Sequence, residues 1–130
     1  MDNKNRIVIG LGSNRNAEVN MEKAEVELRD YFLEITFSEP AYTTPEGTNY
    51  TSPFLNRIAV AYTSDKPEEI IVCFKLIEQL LGRTPADKRI GSVPIDIDLI
   101  QWNDLVLKKD DMEREYVKEG LNSLLTSDKG

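Results

Sequence analysis

The chain has 130 residues, of which 40% are hydrophobic and 30% are charged, so its length and composition are those of one globular domain. Its formal net charge of −7 argues against a general nucleic-acid or anionic-membrane binder, because such proteins usually present a basic face. The charge leaves a nucleotide possible, since a magnesium ion held between carboxylates and phosphates supplies positive charge.

Few side chains offer reactive groups. The sequence has no histidine, which removes histidine triads, histidine general bases and most zinc sites. Its single cysteine, Cys73, lies in an apolar run, where the role of a buried small hydrophobe is expected. No apolar run approaches the roughly 20 residues of a membrane span, and the N-terminus lacks a signal-peptide core. We therefore expect a cytoplasmic protein with no membrane partner.

Hydrophobic periodicity predicts four strands and three helices. Strands repeat apolar residues with a period of two, whereas helices repeat them every three or four residues. In chain order the predicted elements are a strand at 6–11, a helix at 16–32, a strand at 33–37, a strand at 54–62, a helix between Ser64 and Gly82, a strand at 95–99 and a helix at 110–125.

Each predicted element has an apolar stripe that we expect to be buried. The stripes are Ile7, Ile9 and Leu11; Ala17, Met21, Ala24, Leu28 and Tyr31; Leu33, Ile35 and Phe37; Phe54, Ile58, Val60 and Tyr62; Ile70, Phe74, Ile77 and Leu81; Ile95, Ile97 and Leu99; and Val117, Leu121 and Leu124.

The order of elements predicts the architecture. A β-α-β-β-α-β sequence followed by a helix indicates one α+β domain over residues 1–130 with a ferredoxin-like βαββαβ fold, in which an antiparallel sheet carries its helices on one face, plus a C-terminal helix. The other face is expected to hold a site, partly covered by two long loops at Tyr42–Pro53 and Arg83–Pro94. Residues 126–130 are expected to form a flexible tail.

Asp96 and Asp98 are the strongest candidates for chemistry. Two residues apart on a strand, they point to the same face with their backbones about 7 Å apart. Two carboxylates so close repel each other, and a divalent cation such as magnesium relieves the repulsion. The alternative is a solvated strand face, since acidic residues are usually exposed.

Two further features admit two interpretations each. The loop before these aspartates carries Arg83, Lys88 and Arg89, which suit a polyphosphate but equally serve solubility. Asn56 shares a strand face with apolar residues, so it must find polar partners. It either ties a loop inside the protein or recognises the hydrogen-bonding edge of a ligand.

Several segments, in the right order, resemble the 6-hydroxymethyl-7,8-dihydropterin pyrophosphokinase family of folate biosynthesis, and the resemblance is to a shortened, divergent member. The matching segments are Gly10-Leu11-Gly12-Ser13-Asn14, Tyr42-Thr43-Thr44-Pro45-Glu46-Gly47, Phe54-Leu55-Asn56, Glu78 with Gly82-Arg83, and Gly91 followed by Ile95-Asp96-Ile97-Asp98-Leu99.

The resemblance implies transfer of the terminal diphosphate of ATP to the hydroxymethyl group of a dihydropterin, with two magnesium ions as cofactors. It implies that Asp96 and Asp98 bind the metals and that Asp96, Asp98 and Arg83 are catalytic. The implied pterin-binding residues are Thr44, Pro45, Phe54, Asn56 and Tyr116, and the implied nucleotide-binding residues are Glu78, Arg83, Lys108 and Arg114. The partners would be ATP and a pterin, without nucleic acid; the oligomeric state stays open.

The sequence also departs from the family pattern. Val93 stands where the family has a loop arginine, and Ile90 stands where a tryptophan is common. Two hypotheses therefore follow: a compact pyrophosphokinase, or a catalytically impaired paralogue that binds a pterin or a metal.

Overall fold

A computed structural model of the protein describes residues 4–44, 50 and 52–127. It contains six strands and five helices within those residues. The strands are β1 (Asn5–Ser13), β2 (Glu34–Phe37), β3 (Ala41–Thr43), β4 (Phe54–Thr63), β5 (Asp96–Trp102) and β6 (Leu105–Val106). The helices are α1 (Ala17–Tyr31), α2 (Pro67–Leu80), α3 (Asp87–Ile90), α4 (Lys109–Met112) and α5 (Glu115–Ser127).

The strands form one antiparallel sheet in the order β2-β4-β1-β5-β6, with β3 beside the start of β4. The central strands β1 and β4 pair along their full length, from Asn5 opposite Thr63 to Ser13 opposite Leu55. Because β1 is apolar on both faces, it lies in the middle of the sheet, as its sequence predicts.

Helices α1 and α2 pack on the face of the sheet that carries Ile7 and Ile9. Most of the predicted stripes are confirmed there, but two residues were assigned wrongly. Tyr31 is 41% exposed and Leu33 is 94% exposed, whereas Phe32 is buried. The reason is that α1 ends at Tyr31, and the extended backbone of Phe32 turns its ring into the core.

The C-terminal helix α5 packs on the opposite face, mainly against β4. Val117 and Leu124 are buried as predicted. Gly120 allows the helix to approach closely, since a Cβ atom there would lie 3.1 Å from the Ile58 side chain and 3.3 Å from Ser38. Part of the face that was expected to hold only a site is therefore covered by a helix.

The structure corrects several predicted boundaries. The two long loops contain the short strand β3 and the one-turn helix α3, and the hairpin partner β6 was not predicted. The expected helix at 110–125 is broken into α4 and α5 around Arg114. The elements β3, α3, β6 and α4 have two to four residues each, which are too few to show a hydrophobic period. Helix α5 continues through Ser127 into the expected tail, whose last three residues lie outside the described part.

Within the described residues, no helix has the length and apolar character needed to cross a membrane. The cytoplasmic location stays a prediction.

Candidate active site

A cavity of about 280 Å³ lies on the same face of the sheet as α5, in the part of that face that the helix does not cover. Strands β1, β4 and β5 form its floor, and the end of β3 and the α4–α5 junction form its walls. The lining residues are Gly10, Leu11, Gly12, Thr43, Thr44, Tyr50, Phe54, Asn56, Asp96, Asp98, Ile100, Asp111, Arg114 and Tyr116.

The two glycines of β1 keep this floor open. A Cβ atom at Gly10 would lie 2.7 Å from Cδ1 of Ile100, and one at Gly12 would lie 3.4 Å from Oδ1 of Asn56 and 3.5 Å from the Phe54 ring. The glycines therefore let side chains from both neighbouring strands meet over β1, so the Gly-x-Gly segment serves packing in the site.

Asp96 and Asp98 both line the cavity, while Ile97 between them is buried in the core on the other face. This alternation was predicted. Burial, the negative charge of Asp96 and a hydrogen bond with it raise the pKa of Asp98 from 3.8 to about 7. The negative charge of Asp96 thus disfavours a second negative charge on Asp98, and a bound cation would relieve this repulsion.

Arg83 and Glu78 lie behind Asp96, outside the cavity lining. The Arg83 guanidinium donates to Oδ1 of Asp96 at 2.8 Å and to the Ile95 carbonyl at 3.2 Å, and it lies 3.1 Å from a carboxylate oxygen of Glu78. Glu78 is buried and accepts a hydrogen bond from the amide of Ile97 at 2.8 Å. This arrangement holds the aspartate in place, a role the sequence did not predict for either residue.

Lys108 reaches the other aspartate because of a β-bulge. Residue Ile9 of β1 lies opposite Leu99 and Val8 lies opposite Gln101, which leaves Ile100 as the extra residue of β5. The Ile100 carbonyl accepts hydrogen bonds from the amides of Leu107 and Lys108. The Lys108 ammonium then lies 3.7 Å from Oδ1 of Asp98.

Of the two roles considered for Asn56, the structure shows that its side chain ties a loop segment inside the protein. Its amide nitrogen donates to the Thr43 hydroxyl at 2.7 Å and to the carbonyls of Ala41 and Phe54, both at 3.2 Å, so it ties β3 to β4. Its amide oxygen accepts no hydrogen bond from any described residue. Tyr50, which was not predicted, packs edge-on against Phe54 with ring centroids 5.1 Å apart.

The break between α4 and α5 brings three more side chains to the cavity. Arg114 and Tyr116 were predicted from the resemblance, whereas Asp111 was missed. Asp111 lies 3.6 Å from Nε of Arg114 and adds a third negative charge near Asp98, whose pKa it helps to raise. No sequence pattern marks Asp111, because its position depends on where the helix breaks.

The loop before β5 is clamped by Asn14. The Asn14 amide nitrogen donates to the Gly91 carbonyl at 2.8 Å, and its amide oxygen accepts from the Val93 amide at 2.6 Å. The side chain of Val93 is only 3% exposed, whereas Ile90 is 57% exposed. The Val93 side chain therefore packs inside the protein, so an arginine introduced at this position would have to be buried before it could reach a phosphate.

The structure thus brings Asp96, Asp98, Phe54, Asn56 and Tyr116 to one cavity, together with Thr44 and Arg114. It places Arg83, Glu78 and Lys108 around the aspartates. Pro45 lies outside the described residues. The individual functions of these residues stay predictions.

The model of the 7,8-dihydro-6-hydroxymethylpterin-pyrophosphokinase family matches residues 8–126 of the chain. The chain belongs to this family. A 2-amino-4-hydroxy-6-hydroxymethyldihydropteridine pyrophosphokinase of Aquifex aeolicus is 31% identical over 103 residues, which cover 78% of this chain and 64% of that protein.

Other relatives give the same match. The pyrophosphokinase of the same name from Porphyromonas gingivalis is 32% identical over 100 residues, covering 72% of this chain and 67% of its own length. A folate synthesis bifunctional protein of Arabidopsis thaliana is 33% identical over 96 residues, which are 72% of this chain and 20% of that protein. The chain thus spans between 20% and 67% of the length of these pyrophosphokinase-family relatives.

Proposed function

We propose that the protein transfers diphosphate from ATP to 6-hydroxymethyl-7,8-dihydropterin in folate biosynthesis, with magnesium. The observation that carries this proposal is the meeting of Asp96 and Asp98 with Phe54, Asn56 and Tyr116 in one cavity of a pyrophosphokinase-family chain. A metal-holding pair and a pocket for a flat heterocycle are the two halves that this reaction needs.

The proposed reaction is a displacement at phosphorus. The hydroxymethyl oxygen forms a bond to the β-phosphorus of ATP, while the bond from that phosphorus to the oxygen bridging the α-phosphate breaks. AMP leaves with this bridging oxygen, and the hydroxyl proton is released. Such chemistry depends on positioning and charge neutralisation more than on a covalent intermediate, so a site without histidine suits it.

The two aspartates provide the right ligand type for magnesium but not a complete set of ligands. Hard carboxylate oxygens suit this ion, yet among the described residues no group of three or more aspartate, glutamate, cysteine or histidine side chains is placed to hold a metal. Magnesium usually takes one or two carboxylates and completes its shell with phosphates and water. Bound there, two ions would neutralise the ATP phosphates, with Asp96 and Asp98 as their protein ligands.

The pterin half rests on Phe54, Asn56 and Tyr116. The two aromatic side chains offer faces for a flat ring, since stacking buries apolar surface on both sides. The amide oxygen of Asn56, which accepts no hydrogen bond from a described residue, can accept one from an N–H group at the edge of that ring. The backbone of Thr44, which lines the cavity, would run alongside.

The nucleotide half rests on Arg114, which lines the cavity. Lys108 and Arg83 would hold the two aspartates in position, with Glu78 as the buried counter-charge of Arg83. In this proposal, the Arg83 guanidinium can contact a phosphate only after its hydrogen bond to Asp96 has broken. We also propose a ferredoxin-like arrangement for the fold, which the sheet order β2-β4-β1-β5-β6 supports.

A second candidate is the impaired paralogue that binds a pterin or a metal. It is favoured by the buried Val93 and by the engagement of Arg83 with Asp96, because both leave fewer cations for the phosphates.

The deciding experiment measures AMP formation from ATP with and without the hydroxymethyl-dihydropterin and magnesium. Pterin-dependent AMP that disappears without magnesium supports the enzyme. A pterin- or magnesium-dependent rise in melting temperature without AMP supports the paralogue. Neither AMP nor any thermal shift would overturn both.

A further inference from the structure

A second surface lies on the outer side of the helical layer, away from the cavity. Helices α1 and α2 run in opposite directions there, since Val19 at the start of α1 lies beside Leu80 at the end of α2, and Tyr31 lies beside Cys73. Two depressions lie between the helices, and both are lined by Glu27 and Leu80. We call the two together the helix groove.

The helix groove is lined by apolar side chains that point to solvent. Val26 of α1 is 52% exposed, and Leu76 and Leu80 of α2 are 59% and 67% exposed. Ile77 and the half-buried Cys73 lie at its base. Single exposed apolar residues are ordinary, but a contiguous row along two adjacent helices is typical of an interaction site.

The rim of the helix groove is acidic. Glu22, Glu27 and Asp30 of α1 border it, together with Lys23. Within the part of the chain that the structure describes, these three carboxylates form no ion pair. They are therefore available to basic groups on a partner, and the complementary partner is apolar along one stripe and basic on its flanks.

We propose that the helix groove binds an amphipathic helix of a partner protein, with apolar side chains every three or four residues and lysine or arginine beside them. The groove runs along α1 from residue 19 to residue 30, which is about 16 Å, or three helical turns. In helix-in-groove recognition, the apolar face of an amphipathic helix packs into a hydrophobic groove, here the one between the side chains of α1 and α2.

A second copy of this chain is the poorer occupant. Each molecule carries a net charge of −7, and a symmetric contact would set one acidic rim against the other. Because the sheet separates the helix groove from the cavity, a helix bound there leaves the cavity open.

The test uses a fluorescent peptide of about 18 residues, with leucines three or four residues apart and lysines and arginines elsewhere. A second peptide replaces every basic residue by glutamate. Binding to the full-length protein is followed by fluorescence anisotropy, with Leu76→Gln/Leu80→Gln and Glu27→Lys as groove variants. Leu105→Gln is the matched control, because Leu105 is 63% exposed and lies in β6.

The proposal expects saturable binding of the basic peptide that weakens at least tenfold in both groove variants and at raised salt. Leu105→Gln should bind like the wild type, and the groove variants should keep the melting temperature and AMP formation of the wild type. Equal binding of the acidic peptide, no binding of the basic one, or unchanged binding in the groove variants would overturn it. So would a dimer in sedimentation that Leu80→Gln dissociates, since the occupant would then be a second copy.

Discussion

At the scale of single residues, the site depends on two aspartates whose negative charges repel each other. The Arg83 guanidinium lies 2.8 Å from Asp96, whereas the Lys108 ammonium lies 3.7 Å from Asp98. The pair is therefore asymmetric in its ion pairing, and burial and the negative charge of Asp96 raise the pKa of Asp98 to about 7. Three predictions at this scale separate catalytic, binding and electrostatic roles.

Asp96→Asn should lower AMP formation by several orders of magnitude, because it removes a metal ligand. The melting temperature without metal should change little, since the asparagine oxygen still accepts from Arg83 and the repulsion from Asp98 is relieved. Steady-state kinetics and thermal denaturation measure the two effects. Asp104→Asn, at an exposed turn residue, is the control. A strongly destabilised but fully active Asp96→Asn would make the aspartate structural.

Asn56→Ala should weaken dihydropterin binding by about 1–3 kcal/mol, because it removes a paired polar group from a buried site. The same change also frees β3, so Thr43→Val is the control: it removes the hydroxyl that Asn56 contacts but keeps the amide oxygen. Calorimetric titration of both variants separates the effects. An equal loss in Thr43→Val would assign the change to the strand contact.

The pKa of Asp98 makes stability depend on pH. Its folded pKa of about 7 lies above the value of about 3.9 for an unfolded aspartate, so its contribution to stability is complete below about pH 4 and is lost as the pH rises through about 7. In urea denaturation without metal, the free energy of unfolding of Asp98→Asn should fall less than that of the wild type between about pH 4 and about pH 7. Asp104→Asn should follow the wild type. Parallel curves for all three proteins would contradict the assignment.

At the scale of elements, α5 decides how much of the sheet face is left for the site. The helix covers β4 from Ile58 onwards, and the break before it turns Tyr116 and Arg114 towards the cavity. The close approach at Gly120 therefore sets the distance between the helix and the sheet.

Gly120→Ala should destabilise the protein, although alanine is favoured over glycine in helices by about 1 kcal/mol. The added Cβ would lie 3.1 Å from Ile58 and 3.3 Å from Ser38, so the helix must shift outward. Urea denaturation measures the change in the free energy of unfolding. Ser123→Ala, on the exposed side of the same helix, should instead be neutral or slightly stabilising. A stabilised Gly120→Ala would show that the helix moves without cost.

At the scale of the whole molecule, the two faces of the sheet have separate roles. One face carries the core under α1 and α2 and, beyond them, the helix groove. The other face carries α5 and the cavity. With a net charge of −7, a protein with the proposed activity would draw the positive charge for its phosphate-bearing substrate largely from metal ions.

Magnesium alone should therefore raise the melting temperature little, whereas magnesium with ATP should raise it clearly. Two protein carboxylates are a weak site by themselves, and the phosphates complete the metal's ligand shell. Thermal shift assays with magnesium, ATP and both together test this coupling. The Asp96→Asn/Asp98→Asn double variant should lose the combined effect. A large shift with magnesium alone would place a complete metal site in the protein.

The sequence alone determined the main elements and the position of the central strand. A period of two placed Asp96 and Asp98 on one face, and periods of three and four identified the buried residues of α1 and α2. These predictions succeeded because they depend on spacing within one element. The resemblance added Tyr116 and Arg114, which no local pattern marks.

Only the tertiary structure decided what depends on residues far apart in the chain. The bulge at Ile100, the turn of Arg83 towards Asp96 and the burial of Val93 under the Asn14 clamp each result from contacts between separate segments. Local periodicity contains no information about such contacts, because the energy of each is set by a neighbour that the chain brings near only on folding. For the same reason the sequence predicted a C-terminal helix, but only packing decided that it covers part of the sheet face that carries the site.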